Sequence, residues 1–162
     1  MKRFVPFLSV LCLFLAGCAA PRPDPQQMVT AANELDDRFL AAFNGGDLDA
    51  MLATYWNSPE MLFFPPDTMM VRGFDGAKAA MASMMETMAG GKLELIEKNN
   101  HAEGDVVLGW GLWRLTLPGP DGNPMVLEGR YTDVKAMRDG KWVYLVDHAS
   151  MPIPPPPPSS PH

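Results

Sequence analysis

His148 is the residue of this sequence best suited to proton transfer, because an imidazole titrates near neutral pH. It lies near the end of residues 142–149, which we predict to be the last strand. Tyr131, Asp133 and Glu60 lie on other predicted elements and can orient the imidazole as a general acid or base. Alternatively, a histidine at a strand end hydrogen-bonds a loop and has a structural role. The sequence leaves both roles open.

The alternation of side chains along the last strand limits which acid can accompany His148. On a regular strand Tyr144, Val146 and His148 share one face, and Asp147 lies on the other. We therefore expect that Asp147 and His148 do not enter the same cavity.

Large aromatic side chains are the candidates for the walls of a binding pocket. Tyr55, Trp56, Trp113 and Tyr131 can line an apolar pocket for a small molecule. The same side chains can equally fill a closed core. We take these four residues, together with His148, as candidate ligand-binding residues.

Four methionines, Met81, Met84, Met85 and Met88, recur at helical spacing. Thioethers suit Cu(I). The same spacing is what a buried helix face requires, and methionine packs well in irregular cores. We favour core packing, because no cysteine or nearby histidine accompanies the methionines. The sequence also has no zinc motif, phosphate-binding glycine loop or nucleophile elbow, so we expect no metal and no cofactor.

The N-terminus has the features of an export signal. Lys2 and Arg3 precede an apolar run that is too short to span a membrane as a helix, and the run leads to Leu15-Ala16-Gly17-Cys18. This arrangement resembles a bacterial lipoprotein signal, in which the cysteine is acylated and becomes the mature N-terminus. Ala19 is not the aspartate that commonly retains such lipoproteins at the inner membrane. We expect residues 1–17 to be removed and Cys18 to anchor the protein in the outer membrane, facing the periplasm.

The predicted mature chain is acidic. Removal of Lys2 and Arg3 leaves 11 of the 13 basic residues against 19 acidic residues, a net charge of −8. Such a charge opposes binding to nucleic acid. Residues 18–25 are a proline-rich tether and residues 152–162 a proline-rich tail, which we expect to be disordered. One domain of ordinary size remains at residues 26–151.

Hydrophobic periodicity within this domain changes once. Residues 25–44 and 73–89 have helical spacing, and a short helix follows Asp47. After Lys92 the chain alternates between strands and glycine-containing turns. Helices followed by an antiparallel meander predict an α+β fold with the helices packed on one face of a curved sheet.

The order of these elements and several short motifs resemble the NTF2-like superfamily, with its SnoaL-like and DUF4440 branches closest. The motifs are Tyr55-Trp56, Val71-Arg72-Gly73, Gly111-Leu112-Trp113, Gly129-Arg130-Tyr131-Thr132, Asp139-Gly140-Lys141-Trp142 and Asp147-His148-Ala149-Ser150. The resemblance implies a cone-shaped fold, in which a strongly bent sheet wraps the long helix and leaves a pocket at the open end. It also implies that His148 lies near the mouth of the cone.

This scaffold serves isomerases, cyclases, epoxide hydrolases, dehydratases and simple binding or dimerisation modules, so the fold alone does not give the function. Many members carry an acid after the second helix, where this chain has Trp56-Asn57-Ser58-Pro59 and its nearest acid is Glu60. We therefore expect a lipid-anchored periplasmic module that binds a small apolar or amphipathic molecule. The alternatives are an isomerase or hydrolase that uses His148 with an acid, and an interaction protein with a filled cone.

Both faces of residues 106–117 are apolar near the middle. Val107 and Trp113 lie on one face, and Leu108, Trp110 and Leu112 lie on the other. The helices can cover one face only. Because an exposed apolar patch usually marks an interface, we expect a homodimer formed through the sheet.

Overall fold

The computed structural model describes residues 24–152, so the predicted signal segment, Cys18 and the proline tail beyond Pro152 lie outside the described residues. Three helices and two short strands precede a meander of four long strands, which confirms the predicted α+β class. In chain order the elements are α1 (Pro25–Gly45), α2 (Leu48–Leu52), β1 (Leu62–Phe64), β2 (Val71–Arg72), α3 (Phe74–Thr87), β3 (Lys92–Glu103), β4 (Val106–Leu117), β5 (Met125–Arg138) and β6 (Lys141–Ser150).

The bounds of α1 follow from local chemistry. Asp24 accepts a hydrogen bond from the Gln26 amide, and Pro25 occupies the first turn, where its missing N–H costs nothing. Gly46 ends the helix in the left-handed conformation, with φ of 69°. Asp47 then caps α2 by accepting from the Ala50 amide. The long helix and the short helix are therefore separated by two residues that each perform a capping role.

The strands form one six-stranded sheet in the order β2-β1-β6-β5-β4-β3. Neighbouring strands are antiparallel except β1 and β6, which are parallel. β3 and β6 each carry a one-residue bulge, at Ile96 and Leu145, which lie opposite no residue of the neighbouring strand. Bulges increase the bend and twist of a sheet, and here they help it wrap around α1. This arrangement is the NTF2-like cone that the resemblance implies.

The bulge at Leu145 also decides which side chains of β6 face the helices. Val146 pairs with Val134, but Tyr144 pairs with Lys135, so the alternation shifts by one residue between them. Tyr144 and Asp147 therefore lie on the same, inner face. The expectation that Tyr144 shares a face with His148 is wrong, because it assumed a regular strand.

β4 follows the predicted alternation without interruption. Val107, Trp113 and Leu115 are buried on the inner face, whereas Leu108, Trp110 and Leu112 are exposed on the outer face. Within residues 24–152, no helix combines the length and the apolar character needed to cross a membrane.

Candidate functional site

A cavity of about 100 Å³ lies between α1, α3 and the inner face of the sheet. Its walls are mainly aromatic and aliphatic, and its polar groups are three aspartates and three tyrosines. The lining residues are Asp36, Phe39, Phe43, Tyr55, Phe63, Pro66, Met84, Met88, Leu93, Leu95, Trp113, Leu115, Tyr131, Asp133, Tyr144, Asp147 and Ala149. The site therefore combines an apolar volume with a group of ionisable side chains.

Asp36 and Lys135 form a buried ion pair beside the cavity. The Lys135 ammonium lies 2.8 Å from Asp36 Oδ1 and 3.1 Å from Oδ2, and neither side chain is more than 1% exposed. The Tyr144 hydroxyl donates to Asp36 Oδ1 at 2.6 Å. Lys135 also donates to Asn100 Oδ1 at 2.7 Å, and the Asn100 amide returns a hydrogen bond to Asp36 Oδ2 at 2.9 Å. These bonds join α1, β3, β5 and β6, so the network fixes the long helix on the sheet.

Asp133 lies at the edge of this network. Its Oδ1 forms an ion pair with Lys135 Nζ at a distance of 3.0 Å. Burial raises the pKa of Asp133 to about 7; Lys135 opposes that rise, and Asp36 adds to it. The carboxyl group therefore takes up a proton at a higher pH than an exposed aspartate does.

Gly109 makes room for the carboxylate of Asp133. The two residues are paired across β4 and β5, and a Cβ atom at position 109 would lie within 2.7 Å of Asp133 Oδ2 and Lys135 Nζ. No real Cβ tolerates contacts this short. The glycine is thus part of the ionisable site, although it contributes no side chain.

Asp147 is paired with Tyr55 on the other side of the cavity. The Tyr55 hydroxyl donates to Asp147 Oδ2 at 2.5 Å. Tyr55 is positioned by the backbone on either side of it, because the Tyr144 amide donates to Thr54 and the Trp56 amide donates to Tyr144. Burial raises the pKa of Asp147, and the bond from Tyr55 opposes that rise. Burial also raises the pKa of Tyr55, so its hydroxyl stays a donor.

Tyr131 supplies a polar group that lacks a hydrogen-bond partner. Its side chain is 8% exposed, lines the cavity and makes no hydrogen bond through the hydroxyl. Burial, followed by the nearby charge of Asp36, raises the pKa of this hydroxyl, so it stays protonated. Buried polar groups almost always have a partner. The Tyr131 hydroxyl is therefore a buried polar group that the described residues leave without a hydrogen bond.

The structure brings together four of the residues predicted from the sequence. Tyr55, Trp113, Tyr131 and Asp133 all line the cavity. Trp113 is held in place by the hydrogen bond from its Nε1 to the Arg130 carbonyl, at 3.1 Å.

Glu60 and Trp56 are not part of the cavity. Glu60 is exposed in the turn before β1, where its amide donates to the Ser58 hydroxyl. Trp56 lies in a separate surface groove, with the Arg138 guanidinium 5.5 Å from its ring. Neither residue is placed to contact a molecule in the cavity.

The placement of His148 beside the cavity is also wrong. His148 pairs with Thr132 on the outer face of the sheet, where its Nδ1 lies 3.3 Å from the Thr132 hydroxyl and its ring contacts Phe64 edge-on. The bulge at Leu145 is the reason, since it turns Asp147 inward and His148 outward. His148 and Asp133 are therefore on opposite faces and do not form an acid–base pair across the cavity.

Sequence reasoning missed Asp36, Lys135, Tyr144 and Asp147. A signal was present for Asp36, because it falls on the apolar stripe of α1 with Ala32, Phe39 and Phe43. A second signal was the alternation of Tyr131, Asp133 and Lys135 on β5, which places all three on the inner face.

The methionines of α3 serve as packing and as cavity wall. Met81 is fully buried, Met85 packs against the core, and Met84 and Met88 line the cavity. Among residues 24–152, no three His, Cys, Asp or Glu side chains are grouped so as to hold a metal ion.

The sequence that builds this cavity matches a known domain family. A model of the SnoaL-like domain matches residues 37–145, about two thirds of the chain. The chain belongs to the SnoaL-like domain family. The matched region of this SnoaL-like domain includes every cavity residue except Asp36, Asp147 and Ala149. No curated protein matches the chain.

Solved structures share the fold of this SnoaL-like domain. An NTF2-like superfamily protein from Salmonella enterica serovar Typhimurium has a TM-score of 0.71 at 20% identity, covering 83% of this chain and 98% of its own. A provisionally assigned dehydratase of the NTF2-like family from Streptomyces avermitilis has a TM-score of 0.73 at 16% identity, and the match covers 80% of this chain and 100% of that protein. An NTF2-like protein of unknown function from Pseudomonas putida has a TM-score of 0.68 at 22% identity, and the match covers 80% of this chain and 89% of that protein. At these identities the likeness shows the fold alone.

Proposed function

We propose that this SnoaL-like domain binds a small, mostly apolar molecule. The molecule occupies the cavity between α1, α3 and the inner face of the sheet. The observation that carries the proposal is this cavity of about 100 Å³, whose walls are mainly aromatic and aliphatic.

The energetics favour an occupant. An apolar molecule that enters the cavity gains about 25 cal/mol for each Å² of apolar surface removed from water. Its volume of about 100 Å³ is smaller than that of an apolar cavity of roughly 150 Å³ that binds one benzene molecule, so the proposed ligand is small. Met84, Met88 and Pro66 are among the lining residues that are partly exposed. The experiment that tests this function is a search, by native mass spectrometry, for a small molecule that stays bound during purification.

We also propose that the domain is anchored to the outer membrane through Cys18, facing the periplasm. Metabolic labelling with a fatty-acid analogue should give a labelled wild-type protein and an unlabelled Cys18→Ser variant, because the acyl chains attach to this thiol. Cys12→Ser is the matched control: it removes the other cysteine of the chain and should keep the label. Equal labelling of wild type and Cys18→Ser would contradict the anchor.

The outer face of β4 supports a homodimer formed through the sheet. Leu108, Trp110 and Leu112 are each about 40% exposed there, and exposed apolar patches of this kind mark interfaces. We expect light scattering to show a dimer at micromolar concentration and Trp110→Glu to convert it to a monomer, because a buried charge without a partner opposes association. Met69→Glu places the same charge on another exposed apolar side chain and should leave the dimer intact. A monomeric wild-type protein would contradict the proposal.

A further inference from the structure

The surface groove that contains Trp56 is a second concave site, beside the turn between β5 and β6. Its volume is about 490 Å³, within the range of roughly 300–1,000 Å³ that is typical of small-molecule sites. Tyr55 is the one described residue that borders both this groove and the cavity. The groove is therefore a separate place for a ligand, and the proposed function of the cavity does not use it.

Positive charge is concentrated in this groove. Lys78, Arg138 and Lys141 line it, and among residues 24–152 none of the three forms an ion pair with a carboxylate. Asp49 and Asp139 also line the groove. Three cations against two carboxylates give the groove a net charge of +1, although the whole chain has a net charge of −6.

Two of these cations are held opposite each other by the backbone. Arg138 and Lys141 are cross-strand partners in the β5–β6 hairpin. Asp139 and Gly140 form the turn between them, with φ of 50° and 75°, as a two-residue hairpin turn with two positive φ angles requires. Side chains directly opposite on antiparallel strands are neighbours, and like charges there repel. A bound anion would remove this repulsion.

The groove also offers an aromatic surface beside these cations. Trp56 and Phe74 are half-buried there, and the Arg138 guanidinium lies 5.5 Å from the centre of the Trp56 ring. Backbone hydrogen bonds hold both aromatic residues in place, because the Trp56 amide donates to the Tyr144 carbonyl and the Phe74 amide donates to the Ser58 carbonyl. The aromatic and cationic parts of the groove are therefore already in place without a ligand.

We propose that the groove binds a small aromatic carboxylate, whose ring contacts Trp56 and Phe74. Its carboxylate accepts hydrogen bonds from the Arg138 guanidinium and the Lys141 ammonium. The planar guanidinium of arginine suits a carboxylate because it can donate two parallel hydrogen bonds. A carboxylate carries one negative charge and matches the net charge of the groove, whereas a phosphate group carries about −1.5 to −2.

The experiment compares three probes that share an indole ring and differ in charge. The full-length chain is titrated calorimetrically at pH 7 and low salt with indoleacetate, tryptophol and tryptamine, which are anionic, neutral and cationic. We expect indoleacetate to bind at least about tenfold more tightly than tryptophol, and tryptamine to bind least, because the groove attracts negative charge and repels positive charge.

Variants of the chain locate the site. Arg138→Gln should reduce the affinity for indoleacetate to near that for tryptophol. Arg38→Gln is the matched control, since it removes the same charge from an exposed position on α1 outside the groove, and it should leave the affinity unchanged. Ala149→Phe, which adds a phenyl ring to the cavity, should also bind indoleacetate as the wild type does.

A second measurement on the wild-type chain does not depend on a variant that folds. Raising the ionic strength from about 0.01 M to about 1 M shortens the Debye length from about 30 Å to about 3 Å, which screens charges on an exposed groove. We expect the affinity for indoleacetate to fall about tenfold over this range, and the affinity for tryptophol not to fall.

The outcomes separate this site from the cavity. Tryptophol or tryptamine binding as tightly as indoleacetate, equal losses in Arg138→Gln and Arg38→Gln, or no binding of indoleacetate overturns the inference and leaves the cavity function standing. Loss of indoleacetate binding in Ala149→Phe places the probe in the cavity and also overturns the inference.

Discussion

Lys135→Met is expected to destabilise the domain by about 3–5 kcal/mol, because it removes one partner of a fully buried ion pair. The methionine fills much of the lysine's volume, but Asp36 and Asp133 then remain buried without a nearby cation. Chemical denaturation at pH 7 measures the loss of unfolding free energy.

The unfolding free energy that Lys135→Met loses should also depend on pH. A carboxyl group whose pKa is raised by folding binds more protons in the native state than in the unfolded chain, so stability falls as the pH rises between the two pKa values. For Asp133 that window runs from about 4 to about 7 in the wild type, and removal of Lys135 extends it upward. The difference in unfolding free energy between the wild type and Lys135→Met should therefore be smallest at acidic pH and grow towards pH 8.

Lys98→Met is the matched control for this variant. Lys98 lies 2.8 Å from Asp37, but this pair is on the surface, with the Asp37 side chain 68% exposed. Exposed pairs contribute about 0–1 kcal/mol, so we expect a loss within that range. Equal losses in the two variants would show that the buried network does not hold α1 on the sheet.

Ala149→Phe is expected to weaken binding in the cavity about 100-fold while the fold is kept. Ala149 is a small side chain that lines the cavity next to Tyr131, its partner on β5. A phenyl ring there occupies the volume that a ligand needs, and displacing the ring costs about 3 kcal/mol of burial. Affinity for benzyl alcohol, measured by calorimetry, should fall about 100-fold.

The control variant adds a phenyl ring at a position outside the cavity. Ala41 is exposed on α1, outside the cavity, and Ala41→Phe should bind benzyl alcohol as the wild type does. Ala149→Phe that folds and still binds the probe at wild-type affinity would place the binding site somewhere else.

The sequence alone was sufficient to predict the parts of the fold that depend on local periodicity. The helical spacing in residues 25–44 and the capping residues Gly46 and Asp47 predict α1 and its end. The two-residue alternation of β4 correctly predicts that Val107 faces inward and Trp110 outward.

The site was harder to predict, because it depends on one bulge and on distant contacts. Leu145 shifts the alternation of β6 by one residue, and a shift of one residue exchanges the two faces of a strand. Nothing in the local sequence of β6 marks that position, so a regular alternation with His148 facing inward predicts that Asp147 faces outward. Asp36 and Lys135 are 99 residues apart, and only the folded chain shows that each neutralises the other.

Native mass spectrometry of the wild-type protein, purified from the cells that make it, tests the central claim most directly. The account predicts a species heavier than the protein by the mass of one small molecule, which disappears on denaturation and is absent from Ala149→Phe. A wild-type protein that shows only its own mass, or an added mass that Ala149→Phe retains in full, would contradict the assignment of this cavity as the binding site.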